Sequence, residues 1–286
     1  MKGIILAGGT GSRLRPSTIS TSKQLFPIYD KPLIYYPLST LMLGGIREIL
    51  LITTPHDEDN FRKLFGDGHK LGMNIEYLTQ FEPEGIAQAF LIGEKFIGAD
   101  DVSLILGDNI FHGAGMGREL QKYQKPVGAE IFGYRVKNPQ MYGVAEIDES
   151  GTITSIIEKP EKSRSNLAIP GLYFFDNSVT TKVKFIGKSQ RGELEITDLL
   201  EMYRVEERLK LNLVARGTAW MDCGTINSLN DASNYIRVLE ERQGSKVGAI
   251  EEIAWQNGWI SISDLHQLAH SYGRNEYSEY LQGLGL

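Results

Sequence analysis

The apolar positions fall into short runs separated by polar turns, and the runs alternate between two periods. GIILA (Gly3 to Ala7) is continuous, partly β-branched and of strand length. PLIYYPLSTLMLGGI (32–46) reads as a helix led by Pro32 and stopped by Gly44 and Gly45. REILLITTP (47–55) returns to strand, HDEDNFRKLFGDG (56–68) to helix, NIEYLTQ (74–80) to strand, IAQAFLIGEKFIG (86–98) to helix and VSLILGD (102–108) to strand. This alternation predicts a parallel, Rossmann-like sheet flanked by helices. Ligands of such sheets sit beyond the carboxyl ends of the strands, so the loops after Ala7, Gln80 and Leu106 are candidates for one shared site.

The pattern then changes twice. GAEIFGYRV, GVAEID, TITSIIEKP and AIPGLYFFD are shorter alternating strands separated by turns, as in a β-rich half. From Ile226 the signal is helical: LNDASNYIRVLEERQG, AIEEIAWQNG, ISDLHQLAHSYG and EYSEYLQGLG. The expected fold is α/β, a Rossmann-like mixed sheet flanked by helices, with a core over 1–225 and a helical appendage over 226–286 for packing or assembly.

Composition narrows the class. The 286 residues are 41% hydrophobic, enough for a large core. A net charge of −6 argues against a nucleic-acid partner, so an anionic substrate has to be met by local cations. The single cysteine, Cys223, excludes an internal disulfide and fits a reducing compartment. No apolar run approaches the span of a bilayer, and the run after Met1 and Lys2 is too short for a signal peptide. The expectation is a cytoplasmic protein without a membrane partner.

Candidate chemistry begins at LAGGTGSRLRPSTISTSKQLFP (6–27). Gly8, Gly9 and Gly11 let successive backbone N–H groups point at an anion, Ser12 and Arg13 add a hydroxyl and a guanidinium fork, and Lys23 adds a point charge. The segment matches neither G-x-x-x-x-G-K-[ST] nor G-x-G-x-x-G. A tight turn with purely geometric glycines is the bland alternative, disfavoured by Arg13, Arg15 and Lys23 in one segment. Asp108 follows VSLIL in a G-D-N turn and Asp222 ends AWMD. Two carboxylates at separate strand ends suit Mg²⁺, which takes oxygen ligands, although either could simply cap a turn. Glu158 and Lys159 in IIEKP could meet sugar hydroxyls and a sugar phosphate, or be an ordinary surface pair. The amide of Gln80 can donate and accept at once, as the edge of a pyrimidine requires, and Gly85 permits close approach of the backbone. His266 and His270 form H-x-x-x-H, but Gln267 stands where a zinc protease needs glutamate.

LAGGTGSRLRP followed by SKQLFPIYDKPLIYYPLS resembles the opening of the sugar-1-phosphate nucleotidylyltransferases, most closely the glucose-1-phosphate thymidylyltransferase branch. ITTPHDEDNF, LTQFEPEGIAQAF, LGDNIF, YGVAEID, EKPEKSRSNLAIPGLYFFD, RGELEITDLL, AWMDCGT and LEERQGSKV extend the resemblance over essentially the whole chain. It implies attack of a sugar-1-phosphate on the α-phosphorus of a nucleoside triphosphate. The expected substrates are dTTP and glucose 1-phosphate, and the expected step is the first towards dTDP-deoxysugars such as dTDP-L-rhamnose. UTP or another sugar phosphate, and a non-catalytic sugar-nucleotide sensor, are the other readings.

The resemblance also implies roles by position. Arg13, Lys23 and Lys159 would be catalytic. Gly8, Gly9, Gly11, Ser12, Gln24, Gln80 and Gly85 would meet the nucleotide, and Tyr142, Gly143, Glu158 and Arg191 the sugar phosphate. Asp108 and Asp222 would ligate Mg²⁺, while Glu193, Glu195 and Asp198 read as structural or solvent-facing. The resembled enzymes are homotetramers inhibited by a deoxysugar nucleotide at a second site. There the chain reads His112-Gly113-Ala114-Gly115 against the family's YGHD, while Arg216-Gly217 matches its RG pair, so the expected second pocket is altered.

Overall fold

A computed structural model describes residues 1–285. Fourteen strands run β1 Lys2–Ala7, β2 Pro27–Ile28, β3 Lys31–Pro32, β4 Glu48–Thr53, β5 Asn74–Thr79, β6 Val102–Leu106, β7 Asn109–His112, β8 Ala129–Arg135, β9 Gly143–Ile147, β10 Ile153–Glu158, β11 Leu167–Ala168, β12 Leu172–Phe175, β13 Leu209–Leu213 and β14 Ala219–Asp222. Ten of them form one sheet in the order β10-β9-β11-β8-β12-β6-β1-β4-β5, with β13 against β8.

The expected parallel sheet is present in β6-β1-β4-β5, whose apolar runs are buried on both faces: Ile4, Ile5, Leu50, Ile52 and Leu104 are all core residues. The sheet as a whole is mixed, as expected for the fold. β12 inserts antiparallel between β6 and β8, so the β-rich half continues the first half's sheet. Alternation along the chain could not reveal where β12 inserts, because strand direction depends on which distant strand is the neighbour. The register aligns Ala7 with Thr53 and Thr53 with Thr79, and Leu6 with Leu106, bringing the loops after β1, β5 and β6 to one edge.

β14 pairs antiparallel with β7 in a separate two-stranded piece, Asp222 opposite Asn109. The helix Ile226–Gln243 starts at a capping box in which Thr225 accepts from the Ser228 N–H. It buries Leu229, Ala232 and Ile236 against Leu14, Ile28, Leu33, Tyr36 and Cys223. The end of this helix and the loop after it clamp the β2–β3 hairpin through charge. Lys31 pairs with Glu240 at 2.9 Å and with Asp30 at 2.5 Å, and Lys246 pairs with Asp30 at 2.6 Å and Glu240 at 2.9 Å. Among the described residues, no helix is long and apolar enough to cross a membrane.

Candidate active site

The chain leaves β1 into a loop whose shape depends on glycine. Gly9 and Gly11 have φ of 99° and 55°, in the left-handed region that side chains disfavour. The Gly11 carbonyl accepts from the Thr18 hydroxyl at 2.7 Å, and a one-turn helix, Ser12–Leu14, follows. Leu14 is driven into the core beside Cys223, which turns the neighbouring Arg13 towards Gly224; a Cβ at Gly224 would stand 3.0 Å from the Arg13 guanidinium. A cavity of about 190 Å³ lies under this loop, lined by Gly9, Thr10, Gly11, Thr18, Ser22 and Lys23 among others.

A second cavity, of about 210 Å³, opens where the sheet meets the β7–β14 piece. It gathers Arg13, Asp108, Tyr142, Gly143, Glu158, Lys159 and Asp222, residues that the sequence scatters over most of the chain. Asp108 forms an ion pair with Lys23. Burial works against its charge, but the Lys23 ammonium and the Asn109 amide outweigh it and hold the carboxyl below its ordinary range. Asp222 behaves oppositely: burial, and then the Asp108 carboxylate, push it up to about 6 despite the cations of Lys23, Arg13 and Lys159. Two largely buried carboxylates on one wall are hard oxygen donors of the kind Mg²⁺ takes. Among the described residues no cluster of three or more Asp, Glu, His or Cys offers a complete cation cage.

The opposite wall is built by β9 and β10, where Gly143 lies opposite Glu158. A Cβ at Gly143 would come within 3.1 Å of the Glu158 carboxylate and 3.2 Å of Thr197. Lys159 has φ of 41°, an uncommon conformation for a residue with a side chain, fixed by donation from its N–H to the Tyr142 carbonyl at 3.1 Å. Its ammonium meets Glu158 at 3.1 Å and remains half-exposed. Tyr142 packs on Trp220, ring centroids 5.0 Å apart.

Other sequence candidates lie nearby in different settings. Arg191 is held by Glu195 at 2.9 and 2.8 Å, with Glu158 at 3.5 Å. Glu195 is buried; burial opposes its charge, but Arg191 and the Ser189 hydroxyl hold it low. Gln24 is 2% exposed beneath the loop, with its amide oxygen engaged by the Ser22 hydroxyl. Gly8 packs directly against the Gln80 amide. Gly85 does allow a close approach, but to the backbone of Leu194, whose oxygen would lie 2.5 Å from a Cβ at Gly85.

His112, Gly113, Arg216 and Gly217 are not brought into this cavity. They flank the β7–β14 piece, where Gly113 abuts Thr218, and beside them a cavity of about 540 Å³ is lined by Phe111, Gly115, Tyr123, Val214 and Thr218 among others. His266 hydrogen-bonds through Nε2 to the Leu284 carbonyl at 3.2 Å, within the C-terminal helices.

Sequence reasoning missed Asn109 and Gln88. Asn109 is buried and its side-chain oxygen accepts from Trp220 at 2.7 Å and Gly171 at 3.1 Å, while its NH₂ donates to Asp108 at 2.9 Å. Its place in the G-D-N turn was the available signal. Gln88 lies 2.6 Å from the Gln80 amide, and its four-residue spacing from Glu84 was the only hint.

A family model described as nucleotidyl transferase matches residues 2–238. The chain is 53% identical to a glucose-1-phosphate thymidylyltransferase of Mycobacterium tuberculosis, over 98% of each chain. A Bacillus anthracis crystal structure in complex with sucrose superposes with a TM-score of 0.76 at 38% identity, covering 83% of this chain and 95% of the other. A UDP-glucose pyrophosphorylase bound to UDP-glucose gives 0.73 at 25% identity, covering 83% and 98%. With the family model matched from the first strand into the helix after Asp222, the chain belongs to the nucleotidyl transferase family.

Proposed function

We propose that the protein transfers a thymidylyl group from dTTP to glucose 1-phosphate, giving dTDP-glucose and pyrophosphate. The observation that carries this reading is the convergence of Arg13, Lys159 and the Asp108–Asp222 pair on one cavity beside a glycine-rich anion loop. A phosphate oxygen of glucose 1-phosphate forms the new bond to the α-phosphorus, and the bond to the pyrophosphate oxygen breaks. The nucleophile arrives as an anion, so no side chain has to accept a proton from it.

Catalysis is then alignment and charge neutralisation. Gly8, Gly9, Gly11 and Ser12 hold the triphosphate, and Arg13 and Lys23 balance its charge. Lys159, fixed by its backbone bond to Tyr142, aims the attacking phosphate, and Arg191 supports it. Glu158, Gly143 and Tyr142 bind the sugar, while Gln80, Gly85 and Gln24 serve the nucleotide. Mg²⁺ held by Asp108 and Asp222 would neutralise charge on the phosphate oxygens. Residues 1–225 carry the reaction, and 226–286 serve packing and assembly of a cytoplasmic homotetramer in dTDP-deoxysugar synthesis. The cavity beside Gly113 is our candidate for a regulatory nucleotide-sugar, tested by whether one depresses initial rates.

The experiment is pyrophosphate release with glucose 1-phosphate and Mg²⁺, comparing dTTP with UTP, ATP, CTP and GTP. Strong preference for dTTP supports the reading. Equal use of UTP transfers it to uridylyl chemistry, a second reading favoured by the likeness to UDP-glucose pyrophosphorylase. No release with any nucleotide removes it.

A further inference from the structure

The polarity of a glutamine amide is set by partners whose own polarity is fixed. Such partners surround Gln88. Its side-chain oxygen accepts from the backbone N–H of Glu84 at 3.2 Å, and a backbone N–H can only donate. Its NH₂ donates to the Glu84 carboxylate at 3.1 Å, and a carboxylate can only accept. Gln88 therefore has one orientation, oxygen towards Gln80. That oxygen lies 2.6 Å from the Gln80 side-chain nitrogen, so Gln80 must present its NH₂ there. The Gly85 carbonyl, an obligate acceptor, lies on the same side, 3.5 Å from that nitrogen. The Gln80 oxygen is left pointing the other way, against Gly8, and among the described residues no donor pairs with it.

We infer that Gln88 is a specificity-determining positioning residue, which locks the Gln80 amide so that only its oxygen faces the base and thereby selects a pyrimidine carrying an imide N–H. The inference rests on the proposed placing of the nucleotide base at Gln80. Thymine and uracil offer N3–H to that oxygen, whereas cytosine offers a lone pair at N3 and meets it with repulsion. The Gln80 amide alone could serve either base by turning over, and Gln88 removes that freedom. A site with a buried acceptor of fixed direction rejects the wrong partner far more strongly than an adaptable one.

The test is the ratio of kcat/KM for dTTP over dCTP in three proteins. Gln88→Met keeps the volume and removes all three hydrogen bonds, and should lower the ratio at least about tenfold, chiefly through a lower KM for dCTP once the Gln80 amide can turn over. The exchange Glu84→Gln with Gln88→Glu restores the same pattern: a carboxylate at 88 accepts from Gln80 and from the residue 84 N–H, and an amide at 84 donates to it. Lys188, the exposed partner of Glu84, returns to solvent. The exchanged protein should recover most of the selectivity, which a merely structural role for Gln88 would not produce.

An unchanged ratio in folded Gln88→Met, or an exchanged protein as unselective as Gln88→Met, overturns the inference. Wild-type protein that releases pyrophosphate from no nucleotide defeats the transferase reading instead. The lock is then read from calorimetric affinities for dTTP and dCTP in the same three proteins, and equal affinities in wild type overturn it.

Discussion

The backbone N–H of Cys223 donates to the carbonyl of Asp108 at 2.9 Å. This bond joins the end of β14 to the turn after β6 and sets the Asp222 and Asp108 carboxylates on one cavity wall. The two should then respond differently to neutralisation. Asp108→Ala, like Lys159→Ala, should lower turnover at least about a hundredfold, the usual effect of losing a preorganised charge. Near-normal turnover in folded Asp108→Ala would remove Asp108 from the cation site. Asp222→Asn should lower turnover comparably while raising Tm in the absence of divalent cation, because it removes a charge disfavoured first by burial and then by the Asp108 carboxylate. A lower Tm would show that this charge is already compensated.

Gly8 leaves room for Gln80. A methyl group there would overlap the side-chain oxygen of Gln80. Gly8→Ala should displace that amide and raise the KM for the nucleotide about tenfold, the cost of roughly 1.4 kcal/mol of binding, with a smaller change for glucose 1-phosphate. A larger change for the sugar phosphate would show that Gly8 serves the other substrate.

The clamp on the β2–β3 hairpin is electrostatic and buried. Lys31 and Glu240 side chains are each 3% exposed. Lys31→Met should cost about 3 kcal/mol by denaturant unfolding, since it leaves Lys246 alone to balance the Asp30 and Glu240 carboxylates. Lys31→Met with Glu240→Leu should recover much of that loss. A double variant no better than the sum of the singles would show that the pair does not act as a unit.

Glu251 supplies a pH dependence. It is fully buried; burial raises its carboxyl above the ordinary 4.5, although the Tyr272 and Tyr277 hydroxyls donate to it at 2.6 and 2.5 Å and Lys31 lies near. A raised acid binds its proton more tightly in the folded state. Its contribution is therefore complete below the unfolded value and is lost as pH rises through the folded one. The Tm of wild type minus that of Glu251→Gln should fall as pH is raised from 4.5. A difference that grows with pH would mean the carboxylate, and not the acid, is the favoured form.

The legible parts of this molecule are those in which neighbours in sequence do the work. The first strand, the glycine loop and Lys23 lie within one short stretch, and the parallel strands announce themselves by apolar runs. What brings Asp222 beside Asp108 is β14 pairing with β7, and no local pattern says that AWMD seeks NIFH. The antiparallel insertion of β12 is hidden for the same reason. Glu195 looked like one acid among several, and its difference lies in the Arg191 fork that it holds. Gln88 sat in a helical run whose periodicity accounted for it fully, so its polar role left no trace beyond the spacing from Glu84.

The β7–β14 piece also orders events during synthesis. β7 leaves the ribosome long before the segment that will cover it, whereas the glycine loop and the first four parallel strands are already complete. A half-made chain thus carries Asp108 without Asp222, and its glycine loop still lacks the Cys223 core on which Leu14 rests. The two carboxylates come to share a wall only once that last strand has docked.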